Sequence, residues 1–214
     1  MSGFSKNWQK KEDKSSRELR NLMRNSPPVK LHIDRASREI SALIARLDNA
    51  EARIKSRDGE MFRKIVASLQ KGDKDHAAMY ANELTEMRKV GMTVVGAKLA
   101  LEQVSLRLGT ITDLGDVVST LLPTVTVVKR VGQGLVSIMP KAQGELNEIS
   151  SLLSSTLVEA GTIGGTSLNF QAANSEAEQV LEEAASVASE RMAAQFPEVP
   201  AVPQRTEEEE GLAV

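Results

Sequence analysis

Apolar residues recur at every seventh position in Ile33, Ile40, Leu47, Ile54 and Met61, with Ala36, Leu43 and Ala50 three residues further on. A period of seven with apolar a and d positions gives a narrow seam. Sustained over about four heptads, it demands a long helix and a helical partner to cover it. The partner follows directly. Met87, Val90, Val94, Ala97, Leu101, Val104, Leu108 and Ile111 alternate three- and four-residue steps. Between the two stripes stands Lys71-Gly72-Asp73, with Gly suited to a helix C-terminus and Asp to the next N-cap. Two seams joined by so short a turn pack antiparallel, because each stripe has only the other to bury it. The fold class predicted is all-α. A helical hairpin over residues 26–108, opened by Ser26-Pro27-Pro28, would form a rod about 60 Å long at 1.5 Å per residue.

The remainder divides by composition. Residues 109–144 hold Gly109, Gly115, Gly132, Gly134, Gly144, Pro123 and Pro140, and read as shorter helices with hinge points, the plainer alternative being an irregular connector. Residues 145–195 read as acidic helices with a linker at 161–174. Leu146, Ile149, Leu153 and Leu157 form the first stripe, and Ser175 with Glu178 has the spacing of a capping box for the second. Residues 196–214 combine a proline-rich segment with a flexible acidic tail.

Charge is split along the chain. Residues 1–107 carry 22 Lys/Arg against 14 Asp/Glu, whereas residues 108–214 carry 5 against 15. The first half therefore suits an anionic partner, or the second half folds back on it. On the hairpin, Arg35, Arg46, Arg53, Arg57 and Lys64 fall on one side of the first helix, diluted by Glu39 and Glu60. Such a ridge serves either as a solvated face or as a membrane-contacting one. The N-terminal segment 1–25 places Phe4 and Trp8 one turn apart among Lys6, Lys10, Lys11 and Lys14. Aromatics at headgroup depth with lysines on phosphates would make it a membrane contact, and a plain basic tail is the alternative.

Several function classes are excluded at this level. There is no cysteine, so no disulfide framework and no thiol nucleophile, in keeping with a reducing compartment. No apolar stretch follows the basic N-terminus as a secretory signal requires. The longest apolar-leaning uncharged run, residues 117–128, falls short of the roughly 20 residues that span a bilayer. His32 and His76 have no metal-ligand spacing, and no serine sits in a Gly-x-Ser-x-Gly elbow. Gly132-Gln133-Gly134 lacks the Gly-Lys-Ser/Thr of a phosphate loop. No catalytic set, metal, cofactor or small-molecule substrate is expected. Nucleic acid is disfavoured as a partner, since the basic half has few aromatics to stack bases.

Phe196-Pro197-Glu198-Val199-Pro200-Ala201-Val202-Pro203 reads as pre-extended chain carrying the apolar anchors Phe196 and Val199. Pro197, Pro200 and Pro203 fix φ and reduce the entropy lost on docking, which suits a ligand for a partner's groove.

The order of these features resembles the ESCRT-III family, particularly the archaeal CdvB group of cell-division proteins. The resemblance rests on the basic N-terminus with Phe4 and Trp8, the turn at Lys71-Gly72-Asp73-Lys74, and Glu83-Leu84-Thr85-Glu86-Met87-Arg88. It continues through residues 101–108 (LEQVSLRL), Ile138-Met139-Pro140-Lys141 and the proline segment, which looks like the second type of MIT-interacting motif. It implies a non-enzymatic subunit that polymerises, alone or with paralogues, on an anionic membrane surface. It also implies that Phe196, Pro197, Val199, Pro200 and Pro203 engage the MIT domain of an AAA ATPase. Two departures stand out: Gln204-Arg205-Thr206 replaces a further apolar-Pro pair, and no winged-helix segment is expected after Pro203. The expected location is cytoplasmic, peripheral on the inner face of the cell membrane at the division site. A non-polymerising coiled-coil adaptor that displays the proline ligand is the competing reading.

Overall fold

The computed structural model describes residues 27–111, 114–164 and 170–200. Five α-helices fill them: α1 (Pro27–Gln70), α2 (Lys74–Gly109), α3 (Leu114–Leu135), α4 (Pro140–Gly164) and α5 (Phe170–Gln195). No strand occurs among the described residues, as an all-α reading requires. The segments 1–26, 112–113, 165–169 and 201–214 lie outside this description.

α1 and α2 form the antiparallel hairpin. Gly72 adopts φ +75°, the left-handed conformation that costs glycine nothing and ends α1. Asp73 caps α2 by accepting the His76 backbone N–H at 3.1 Å. That hydrogen bond, with a second from the His76 ring, holds the Asp73 carboxyl below the usual carboxylate range.

The heptad seam is buried unevenly, for a reason the architecture supplies. Ile40, Leu43 and Leu47 are wholly buried, whereas Ile54 and Met61 are half-buried. α4 packs on α1, and α3 on α2, only over the part of the hairpin away from the turn. There the cross-section holds four or five helices; nearer the turn α5 reaches only as far as Gly91 and Arg88, and the helices beside the hairpin run out. α2 is the central helix, with α1, α3 and α5 around it. Its second half is accordingly apolar on nearly every side: Val94, Val95, Ala97, Leu99, Ala100, Leu101, Val104 and Leu108 are buried.

α3 and α4 make a second antiparallel pair, closing around Leu121, Val128, Leu135, Leu146, Ile149 and Leu153. α3 runs unbroken through Pro123, Gly132 and Gly134, so the breaks of the 109–144 region fall at its two ends. An interior proline costs about 3 kcal/mol. The buried apolar stripe on both sides of Pro123 outweighs it. Gly132 is a close approach: a Cβ there would sit 3.4 Å from that of Leu146. α4 extends to Gly164 and α5 starts at Phe170, so both helices run into the segment read as a linker, and Ser175 and Glu178 lie inside α5. No described helix is long and apolar enough to cross a membrane.

Candidate functional site

α5 lies antiparallel along α2, and its contacts step down both helices in register. Arg107 pairs with Glu176. A Cβ on Gly96 would lie 3.8 Å from that of Ala188, and one on Gly91 would lie 3.0 Å from Cε of Met192. At the far end Arg88 meets Phe196 and Pro197. Arg130 of α3 pairs with Glu178 at 3.0 Å and ties α5 to a second helix. Gly91 is the tight approach of the two; a Cβ on Gly96 would make only ordinary contact with α5.

Arg88 joins three segments. Its Nε and Nη2 donate to Asp58 of α1 at 2.5 and 3.0 Å. Its Nη1 donates to the Pro197 carbonyl at 2.7 Å, and its guanidinium lies 5.3 Å from the Phe196 ring centroid. Asp58 is 3% exposed. A carboxylate so buried is tolerated only when paired, and the planar fork of arginine supplies both hydrogen bonds at once. The cation also faces an aromatic ring, an arrangement that stabilises by about 0.5–2 kcal/mol. Part of the proline segment is thus seated on the hairpin.

The predicted site residues separate into distinct environments. Phe196, Val199 and Pro200 are half-buried and Pro197 is exposed; Pro203 lies outside the described residues, as do Phe4, Lys6, Trp8, Lys10, Lys11 and Lys14. On the ridge, Arg35 hydrogen-bonds Glu39 at 2.8 Å, which raises its pKa. Arg46 pairs with Glu145 of α4. Lys64 lies 5.5 Å from the Tyr80 ring centroid. Arg53 and Arg57 are exposed and line an open groove of about 670 Å³ with Arg46 and Asn49. Its floor is Ala50, Ile54, Val90 and Val94, and the α3–α4 turn contributes Ile138 and Met139. Two residues to which the site reading gave no role, Asp58 and Arg88, hold the proline segment against the hairpin. Among the described residues no group of His, Asp or Glu is placed to hold a metal ion.

Comparison with known proteins gives the chain its relatives. It is 38% identical over 180 residues to Cell division protein B1 of Sulfolobus acidocaldarius, with 84% of each chain covered. It is 31% identical over 178 residues to Cell division protein B of the same organism, covering 81% of this chain and 68% of that one. No family model and no solved structure matches it. Identity at this level over most of both chains, on an all-helical fold with the long hairpin, places the chain in the CdvB-like ESCRT-III family.

Proposed function

We propose that this protein is a non-enzymatic cell-division subunit that polymerises on anionic membranes to constrict and cut them, and that its proline segment recruits an AAA ATPase which takes the polymer apart. The relatives are named as cell division proteins, which supports the biological setting. The proposed location is the inner face of the cell membrane at the division site.

The observation that carries this reading is how α5 is held. Its buried face is Ala173, Ala177, Val180, Ala184, Ala188 and Met192, mostly alanine, where α4 buries Leu146, Ile149, Leu153 and Leu157. Each buried methylene contributes about 0.8 kcal/mol and a whole Leu or Ile side chain about 1.5–3, so the α5 interface is weak for its length. Its outer ion pairs are partly exposed and contribute about 0–1 kcal/mol each. An element held this way sits at the low-stability end of a fold and opens without unfolding the rest. Opening bares the α5-binding face of α2 and frees Phe196 and Pro197 together. A face on one copy complementary to a helix of the next makes a heterologous, non-closing contact, hence a filament. The exposed basic residues of α1, with Phe4, Trp8 and the lysines of residues 1–25, supply membrane attraction, and Phe196, Pro197, Val199, Pro200 and Pro203 supply the ATPase ligand.

Electron microscopy of the full-length protein and a Glu176→Lys/Glu178→Lys variant on anionic vesicles tests the proposal. Filaments or coated tubules, more abundant with the variant, are expected. Smooth vesicles with both proteins, together with a finite oligomer at every concentration, would instead favour the adaptor.

A further inference from the structure

The groove along α1 has two unlike sides. Its α1 edge is cationic. Arg53 and Arg57 stand one turn apart, exposed, and make no ion pair among the described residues, while Arg46 at the end of the edge is engaged with Glu145. The other side is apolar. Ile54 and Val90 form the floor, with Val90 36% exposed, and Ile138 and Met139 of the α3–α4 turn stand over it. Open apolar surface bordered by uncommitted cations marks a binding site rather than a solvated face.

Contact with charged headgroups accounts for the arginines and leaves the apolar side unexplained. A ligand with an anionic head and an alkyl chain accounts for both. Residues four apart on a helix are separated by about 6 Å along its axis, so both guanidiniums can reach one phosphate group, whose oxygens match the arginine fork. The open space of about 670 Å³ is large enough for one alkyl chain. Two turns of a helix, 10–12 Å across, would need roughly 1000 Å³. The chain's own segment 1–25, rich in Lys and Arg, has the wrong sign for the cationic edge.

We propose that this groove binds a single anionic lipid, with its phosphate on Arg53 and Arg57 and one acyl chain along Ile54, Val90 and Met139. The inference rests on the membrane reading for the source of that lipid. It goes further, because a ridge lying on headgroups is indifferent to chain length, whereas a groove with an apolar floor reads it.

Water-soluble alkyl phosphates probe the groove without a bilayer. Methyl NMR of the full-length protein, labelled at Ile, Val and Met, follows titration with monomeric hexyl and octyl phosphate. Inorganic phosphate and octyl glucoside supply the head alone and the chain alone. Saturable shifts are expected at Ile54, Val90, Ile138 and Met139. Each methylene that enters the groove raises affinity about fourfold, so octyl phosphate should bind roughly tenfold more tightly than hexyl phosphate. Arg53→Gln/Arg57→Gln is expected to reduce octyl phosphate to the level of octyl glucoside, and Val90→Gln to erase the dependence on chain length. Equal binding of hexyl and octyl phosphate would overturn the proposal, as would octyl glucoside binding as tightly as octyl phosphate. Shifts at the same methyls that grow with protein concentration in the absence of ligand would overturn it too, assigning the groove to a second copy of the chain. Cosedimentation with anionic vesicles separates the two readings. Vesicle binding without the alkyl phosphate result overturns the groove alone, and the alkyl phosphate result without vesicle binding overturns the membrane reading alone.

Discussion

Arg88 joins α1, α2 and the proline segment through one guanidinium. Removing it leaves Asp58 buried without a partner, and breaking a buried pair costs about 3–5 kcal/mol. Arg88→Ala is therefore expected to lower the urea midpoint sharply. Asp58→Leu/Arg88→Met is expected to recover most of the loss, since apolar replacement of both partners is nearly neutral. Neither double nor single variant restores the Phe196 seat, so both should show faster proteolysis after residue 195. Denaturant titration of the single and double variants gives the first result, and timed digestion the second.

Gly91 is a second lever at this scale. A Cβ there meets Met192 Cε at 3.0 Å and Ile54 Cγ2 at 3.2 Å. The methionine end is flexible, so Gly91→Ala should be mild, whereas Gly91→Leu should wedge α5 away from α2. Hydrogen exchange over residues 170–195 measures this, with faster exchange expected only for the larger side chain.

At the scale of elements, the α1–α2 turn owes its sharpness to Gly72 and Asp73. Asp73→Ala is expected to lower the thermal midpoint by removing the cap of α2. Because the folded-state pKa of Asp73 is lowered, its contribution is fully present above the usual aspartate range of about 4. It is lost as the pH falls through the lowered value, so the gap between wild type and Asp73→Ala should close toward strongly acid pH. Lys98 is a contrasting case. Burial lowers its pKa, but hydrogen bonds to Asp48 and Glu51 more than offset that and raise it.

The hairpin was legible in the sequence because its cause is local: a sustained heptad, a Gly-Asp turn and a second stripe. A further signal was present there too. Asp58 and Arg88 each lie 15 residues from Asp73, and Asp48 and Lys98 each lie 25, so both ion pairs are symmetric about the turn. Antiparallel helices bring such positions together, which makes the pairing readable in retrospect. The place of α5 was not readable. Its alanine stripe fits many surfaces, and the complementary feature on α2, Gly91 and Gly96, reads from sequence as nothing more than two weak helix formers. Likewise the α2 stripe reads as covered by α1 alone, because no sequence pattern reveals that three helices surround it.

At the scale of the molecule, two packing regimes share one chain. α1 to α4 close a core of Leu, Ile and Val, while α5 rests on it through alanines and surface charge. The split between basic and acidic halves is partly realised as ion pairs between them: Arg46 with Glu145 and Arg107 with Glu176. Salt should therefore loosen α5 before it affects the hairpin, as screening acts on the exposed pairs first. Two unfolding phases in high salt, the earlier confined to α5, are expected by residue-resolved exchange.

The central claim is that α5 is a latch that leaves the hairpin when the protein assembles on a membrane. Hydrogen exchange of the full-length protein with and without anionic vesicles tests it most directly. Loss of protection across residues 170–195 on vesicle binding, with the interior of α1 and α2 still protected, is the predicted result. Full protection of α5 in vesicle-bound, filamentous protein would contradict it.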